Sequence, residues 1–323
     1  YFSVGGVGRG DLAAAYCDVA RAAVCQMQRQ TPLDNNSRRL LLAAIADGHR
    51  EDGRGVHEMR RVRIDFLRAT KKKPPAAAAA SGVPKGIGGS VEVALGATRV
   101  LATVSAELRE PYADRPTVGF FSVFVDFSPM AGAQHTAGSG SIARAMEAQR
   151  LVERSLGESG AVDVESLCVV GGAHVWHVRV DVKIIDDDGN VIDAVALATA
   201  AALLHFRRPD VTVSGGTNVT IHDPAVKPPV PLAIHHIPLC VTFVLFGGNY
   251  VSTVAVDPTL KEEAAGMAHL TMAFNAHREV CLVQHAGGAA IDADLLLRCG
   301  NVAAARAAAL TATLRKALRA AGV

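Results

Sequence analysis

The chain has 323 residues, half of them apolar, and a formal net charge of +2. That length predicts about two domains, or one built from two similar halves, with enough apolar mass for a sizeable core. The near-neutral charge excludes a polyelectrolyte binder of nucleic acid, so any RNA contact must come from a local patch. No apolar run approaches the roughly 18 to 20 residues that span a bilayer, so no membrane span is expected. Tyr1–Gly10 lacks the charged-then-apolar pattern of a secretion signal, and the opening on Tyr1 reads as a trimmed or partial N-terminus.

Residues 1–36 read as an N-terminal extension, Gly-rich and then Ala-rich. Asn36-Ser37 predicts a cap for a helix from Arg38 to Asp47, with Leu41, Leu42 and Ile45 on one face. Basic residues outnumber acidic ones from Arg38 to Lys73. Such a run reads as a solvated face or as a contact with RNA or an acidic partner. The Lys/Pro/Ala tract inside 69–89 predicts a flexible low-complexity insertion.

Ser90–Leu95 and Arg99–Ser105, joined at Gly96-Ala97-Thr98, predict a hairpin, and Phe120–Phe127 predicts a third strand. Thr136–Ser141 reads as a Gly/Ser loop before a helix from Ile142 to Leu156. Strands are predicted over 166–170 and 174–185. Asp193 then predicts a cap for an apolar helix through Leu204 that is buried on most sides. Residues 211–230 read as a connector. Beyond it come strands near 237–246, 251–256 and 280–284, and an Ala/Leu helix from Asp292 to Leu318 with a basic last turn. Strands followed by helices, twice over, predict an α+β fold with mixed sheets packed by helices.

Chemistry has few footholds. Six cysteines occur without a C-x-x-C pair and read as buried free thiols of a reducing compartment. Asp186-Asp187-Asp188, with Asp181 and Asp193 nearby, is the one carboxylate cluster. Paired carboxylates at a strand end suit Mg²⁺, yet Asp187-Asp188-Gly189-Asn190 also has the composition of an Asx turn. His235 and His236 point to opposite faces of an extended segment, and His49, His57, His135 and His269 lack partners at ligand spacing. Arg109 and Arg115, read as lying on a hairpin tip, have the reach for a phosphate backbone, with solvated tip charges as the plainer alternative. No aromatic interleaving accompanies them, so such contact would be independent of sequence.

Several segments together resemble one family. They include Glu51-Asp52-Gly53-Arg54 with Arg60, Arg63 and Ile64, Leu95–Val100, Gln149–Arg154, Trp176–Asp181 and Asp188–Asp193. In the second half they include His205–Val211, Pro231–Pro238, Val256–Pro258 with Glu262 and Glu263, and Asn275–Glu279. The combination, spread over 38–320, is similar to the RNase PH-like ring subunits of the eukaryotic RNA exosome. The resemblance implies a two-half RNase PH fold, ribosomal protein S5 domain 2-like, with domain 1 over 37–210 and domain 2 over 231–323. It also implies a hexameric ring of RNase PH-like subunits, with cap subunits and associated nucleases, that threads single-stranded RNA. Localisation to nucleus, nucleolus and cytoplasm and a role in rRNA processing follow from the same resemblance.

Active members of the family degrade RNA from the 3′ end by phosphorolysis, using a phosphate loop and paired acidic metal ligands. Here the loop reads Gly138–Arg144, with small or apolar residues at the phosphate-arginine position, and Arg144 is the nearest arginine. The first metal position falls on Lys183 and the second on Asp188, and a Lys cannot coordinate the ion. The resemblance therefore implies a scaffold without catalytic residues, metal or cofactor. By the same resemblance RNA contacts fall on Arg115, with Arg109 and Arg99 behind it. The competing reading is an active phosphate-dependent 3′ exoribonuclease.

Overall fold

The computed structural model describes residues 33–67, 89–132, 135, 139–214, 218–223, 226–247 and 251–322. Residues 1–32 of the 1–36 extension and all but Gly89 of the 69–89 insertion lie outside these. Helix α1 (Asn35–Ala46) starts at Asp34, ahead of the predicted cap, and turns Leu41, Leu42 and Ile45 onto Val244, Phe246 and Ala255.

The first half is built on strands β1 (Val62–Phe66), β2 (Ser90–Leu95), β3 (Thr98–Arg109), β4 (Phe120–Phe127), β5 (Cys168–Val170) and β6 (His174–Asp186), in the order β1-β2-β3-β6-β4, with β5 on β6. The β2–β3 hairpin forms as the alternation predicts. β6, however, lies between β3 and β4 and runs parallel to β4. Residues 110–119 are therefore a crossover rather than the hairpin tip expected around Arg109 and Arg115.

Strand alternation sorts this sheet into two faces. Val100, Ala102, Val104, Val180, Val182, Ile184, Val123 and Val125 are buried. Helices α2 (Ser139–Glu153) and α3 (Val191–His205) cover them. Each such valine or isoleucine contributes about 1.5–3 kcal/mol by leaving water. The other face carries Leu101, Thr103, Ser105, Phe124, Asp126, Arg179, Asp181 and Lys183, all at least partly exposed. α3 is buried on nearly all sides, as its predominantly apolar composition requires. Its cap corrects the prediction: Asn190, in the left-handed region at φ 54°, occupies that position, while Asp193 lies inside the first turn.

Residues 211–230 carry a small hairpin of their own, β8 (Val211–Ser214) with β9 (Asn218–Ile221). β10 (Val230–Pro231) returns to pair with β7 (Arg207–Arg208). The second half is a four-stranded sheet in the order β12-β11-β13-β14: β11 (Leu239–Gly247), β12 (Val251–Val256), β13 (Ala268–Phe274) and β14 (Val280–Gly287). β11 reads as an apolar run interrupted only by Thr242 because both of its faces are covered. Short helix α4 (Leu260–Ala265) follows β12, and α5 (Ala293–Ala321) packs along β11 and β13. Neither β13 nor α4 was anticipated from the sequence.

Candidate RNA interface and the cleft between the halves

Three arginines of the basic run turn inward at the junction of the halves. Asp257, fully buried at φ 51°, accepts from Arg60 through the backbone N (2.7 Å) and the guanidinium (2.9 Å), from Arg54 (3.0 Å) and from Asn190 Nδ2 (2.6 Å). Burial alone would raise its pKa, but the bonds and charge of Arg60 outweigh that and hold it below the ordinary carboxylate range. Arg50 donates to Glu262 (2.9 Å) and to the carbonyls of Val256 (2.8 Å) and Asp257 (2.9 Å). Glu262 in turn closes a capping box with Thr259 at the start of α4. The basic run is thus, at these three positions, neither a solvated face nor an RNA contact.

The acidic cluster forms the Asx turn that its composition allowed, with Gly189 N donating to Asp187 Oδ1 (3.1 Å). Gly189 is obligatory here: its φ is +87°, and a Cβ would stand 2.5 Å from Leu260 N. Asp187 is buried against His135 (2.9 Å) and Arg144 (3.0 Å), and Arg144 also reaches Glu263 (3.3 Å). His135 has a partner after all, and its ring stacks on Phe127. Burial pushes Glu263 up to about 7 despite Arg144, and pushes Asp193 up to about 7 despite bonds from Asn190 and Thr242. Asp188 is held in the turn, with Arg60 3.5 Å from its carboxylate.

Of these groups Phe127, Arg144, Asn190, Thr242 and Glu263 line a cleft between α2, the start of α3 and the second sheet, with Glu147, His269 and Gln284 on its other walls. The residues do not fit the phosphate and metal used by active members of the resembled family. Arg144, the arginine nearest the phosphate position, is shared by two carboxylates. Lys183 belongs to the exposed sheet face, in register with Leu101 and Asp126, and does not converge on Asp188.

The three arginines expected to contact RNA do not form one patch. Arg115 is exposed in the crossover, where its backbone N donates to Tyr112 O (3.1 Å). The loop is pinned by Gly119 N to Val164 O and by Gly172 N to Pro116 O, both 2.9 Å. Arg109, at the near end of β3, is exposed, with Glu107 3.5 Å away. Arg99 lies at the far end of β3, about 30 Å away at strand rise, and is paired with Glu92.

The fold instead gathers aromatics that the sequence reading missed. Tyr112, 70% exposed, meets Phe120 edge-on, and Phe120 meets His177 in the same way. Further along β4, Arg179 covers the exposed ring of Phe124 at 4.3 Å. Phe120, Ser122, Phe124 and Asp126 share one face by strand period. That signal was present in the sequence, but only the β4–β6 pairing brings the arginine onto the ring.

Comparison with known proteins gives a consistent picture. Models described as the 3′ exoribonuclease family, domain 1 and domain 2, match residues 61–209 and 236–306. The chain is 39% identical over 287 residues to exosome complex component RRP45A of Arabidopsis thaliana, covering 88% of this chain and 87% of that protein. It is 41% identical over 291 residues to exosome complex component RRP45 of Homo sapiens, covering 90% of this chain but 61% of the human protein. Rrp45 of Schizosaccharomyces pombe is 36% identical over 292 residues, with 90% and 93% covered. Among solved structures, an Archaeoglobus fulgidus exosome with RNA bound to the active site aligns with TM-score 0.69 and 30% identity, covering 85% of this chain and 96% of that one. An archaeal exosome core aligns with TM-score 0.65 and 29% identity, covering 86% and 96%.

Proposed function

The chain belongs to the 3′ exoribonuclease (RNase PH) family and, within it, to the RRP45, or polymyositis/scleroderma autoantigen, type of exosome ring subunit; from that premise we propose that it is a non-catalytic scaffold that guides single-stranded RNA. The observation that carries the reading is the state of the cleft. Its one candidate phosphate arginine, Arg144, is bound by Asp187 and Glu263, and the Lys at the first metal position faces away from it. A phosphate dianion would have to compete with two resident carboxylates for one guanidinium.

In this reading the chain sits in a hexameric ring with other RNase PH-like subunits, beneath cap subunits and beside nucleases that perform the cleavage. Such a ring would serve 3′-to-5′ degradation and rRNA processing, in nucleus, nucleolus and cytoplasm. Arg115 and Arg109 are the RNA contacts, since both are exposed at one end of the first sheet. Arg99 is not part of that contact. The test is to isolate the tagged protein from its own cells at native salt and weigh the assembly by native mass spectrometry. A multi-subunit ring containing the chain supports the scaffold; recovery only as a monomer overturns it.

A further inference from the structure

A cavity of about 210 Å³ opens between β5, β7 and β8, apart from the cleft between the halves; its Trp176 pairs with Leu108, one residue from Arg109. Two hydrogen-bond donors line it. Trp176 is completely buried, and its indole N–H has no acceptor among the described residues. Arg208 is half-buried and gives one bond, from a terminal guanidinium nitrogen to Ser166 O (3.1 Å). No carboxylate lies within ion-pair distance of it among the described residues, because the neighbouring Asp210 is held by Lys227 at 3.2 Å. Burial accordingly pulls the Arg208 guanidinium below its ordinary pKa. The remaining wall combines Val169, Val211, Val213 and Val230 with Cys168, Pro209 and the Lys227-bound Asp210.

Among the described residues one pocket holds a half-buried cation without an ion pair and a buried neutral donor without an acceptor, a costly pairing unless an acceptor completes it. One negative charge balances Arg208, and a guanidinium fork matches the two oxygens of a carboxylate. The valine wall suits the apolar flanks of a peptide better than a ribose-phosphate chain. We propose that this pocket docks the carboxylate of an acidic, apolar-flanked peptide segment from a partner protein. The pocket lies beside the proposed RNA path, and the phosphate and oligoadenylate arms of the titration below tell a peptide site from an RNA contact.

Trp176 is the only tryptophan in the chain, so its emission reports the site directly. The full chain is titrated with acetyl-Val-Glu-Val-amide, its Gln counterpart, inorganic phosphate and oligoadenylate, each to about 10 mM, where a single anchored side chain is measurable. A saturable change with the Glu peptide is expected, weakened about tenfold or more by Gln in the peptide and likewise by Arg208→Gln. Arg208→Lys, which keeps the charge but loses the fork, should fall between them. If Arg208→Gln does not fold, the Glu-to-Gln comparison on the unaltered chain decides alone. The absence of a saturable change, equal binding of the Gln peptide, or tighter binding of phosphate or RNA overturns the proposal.

Discussion

The junction of the halves and the crossover at 110–119 use arginine in opposite ways. At the junction Arg50 is buried and Arg54 and Arg60 are largely enclosed, and each meets a carboxylate and one or more carbonyls. At the crossover Arg115 is exposed, and Arg109 has only a loose contact with Glu107. The difference teaches that local charge excess does not identify an RNA surface. The basic run before residue 73 carries the larger charge excess, yet its arginines at 50, 54 and 60 weld the halves together. The sparse pair at 109 and 115 is left exposed to solvent.

Breaking the junction should have the largest effect. Asp257→Ala leaves Arg54, Arg60 and Asn190 without their shared acceptor, and a loss of about 3–5 kcal/mol in urea unfolding is expected. A change under about 1 kcal/mol would mean that water replaces the carboxylate.

The next effect is one of pH. Glu263 and Asp193 have folded-state pKa values of about 7, above the ordinary carboxylate range. Their contribution is therefore complete below pH 4 and is lost as pH rises through about 7. Asp257 and Asp187, held low, act with the opposite sign and destabilise the fold only in stronger acid. Between pH 5 and 8 Glu263 and Asp193 pull the melting temperature down as pH rises, against His177, His205 and His269, whose burial holds them low and acts the other way; Glu263→Gln should therefore shift the slope upward relative to the unaltered chain. Equal slopes would show that Glu263 is already ionised at pH 5.

Arg144→Ala removes one partner of Asp187 while His135 and Gly189 N still hold it, and Arg144 is itself partly exposed. A loss of about 1–2 kcal/mol is expected, with RNA crosslinking by the assembled ring unchanged. The smallest effect on stability belongs to the crossover. Arg109→Glu with Arg115→Glu should stay within about 0.5 kcal/mol. RNA crosslinking to the chain inside the ring should nevertheless fall several-fold. Crosslinking equal to that of the unaltered chain would remove these arginines from the RNA path.

Much of the first half was legible because its strands alternate cleanly and α3 is apolar all round. The β3–β6–β4 order was not, since chain-local periodicity does not say which strands become neighbours. That order made Arg109 and Arg115 a crossover pair and separated Arg99 from them by the length of a strand. β13 escaped notice because Ala268–Phe274 is short, apolar and buried on both faces, and so lacks a period. The inward arginines were illegible for a similar reason: Asp257 and Glu262, which neutralise Arg54 and Arg50, lie about two hundred residues away in sequence. The Asx turn was legible in Asp187–Asn190, but its role in fixing Asp187 against Arg144 was not.

The most direct test of the scaffold reading is to incubate the purified chain with single-stranded RNA in phosphate and Mg²⁺ and to quantify released nucleoside diphosphates. No release and an unchanged RNA length are predicted. Diphosphate release that Lys183→Ala or Asp188→Ala abolishes would contradict it and make the chain an enzyme.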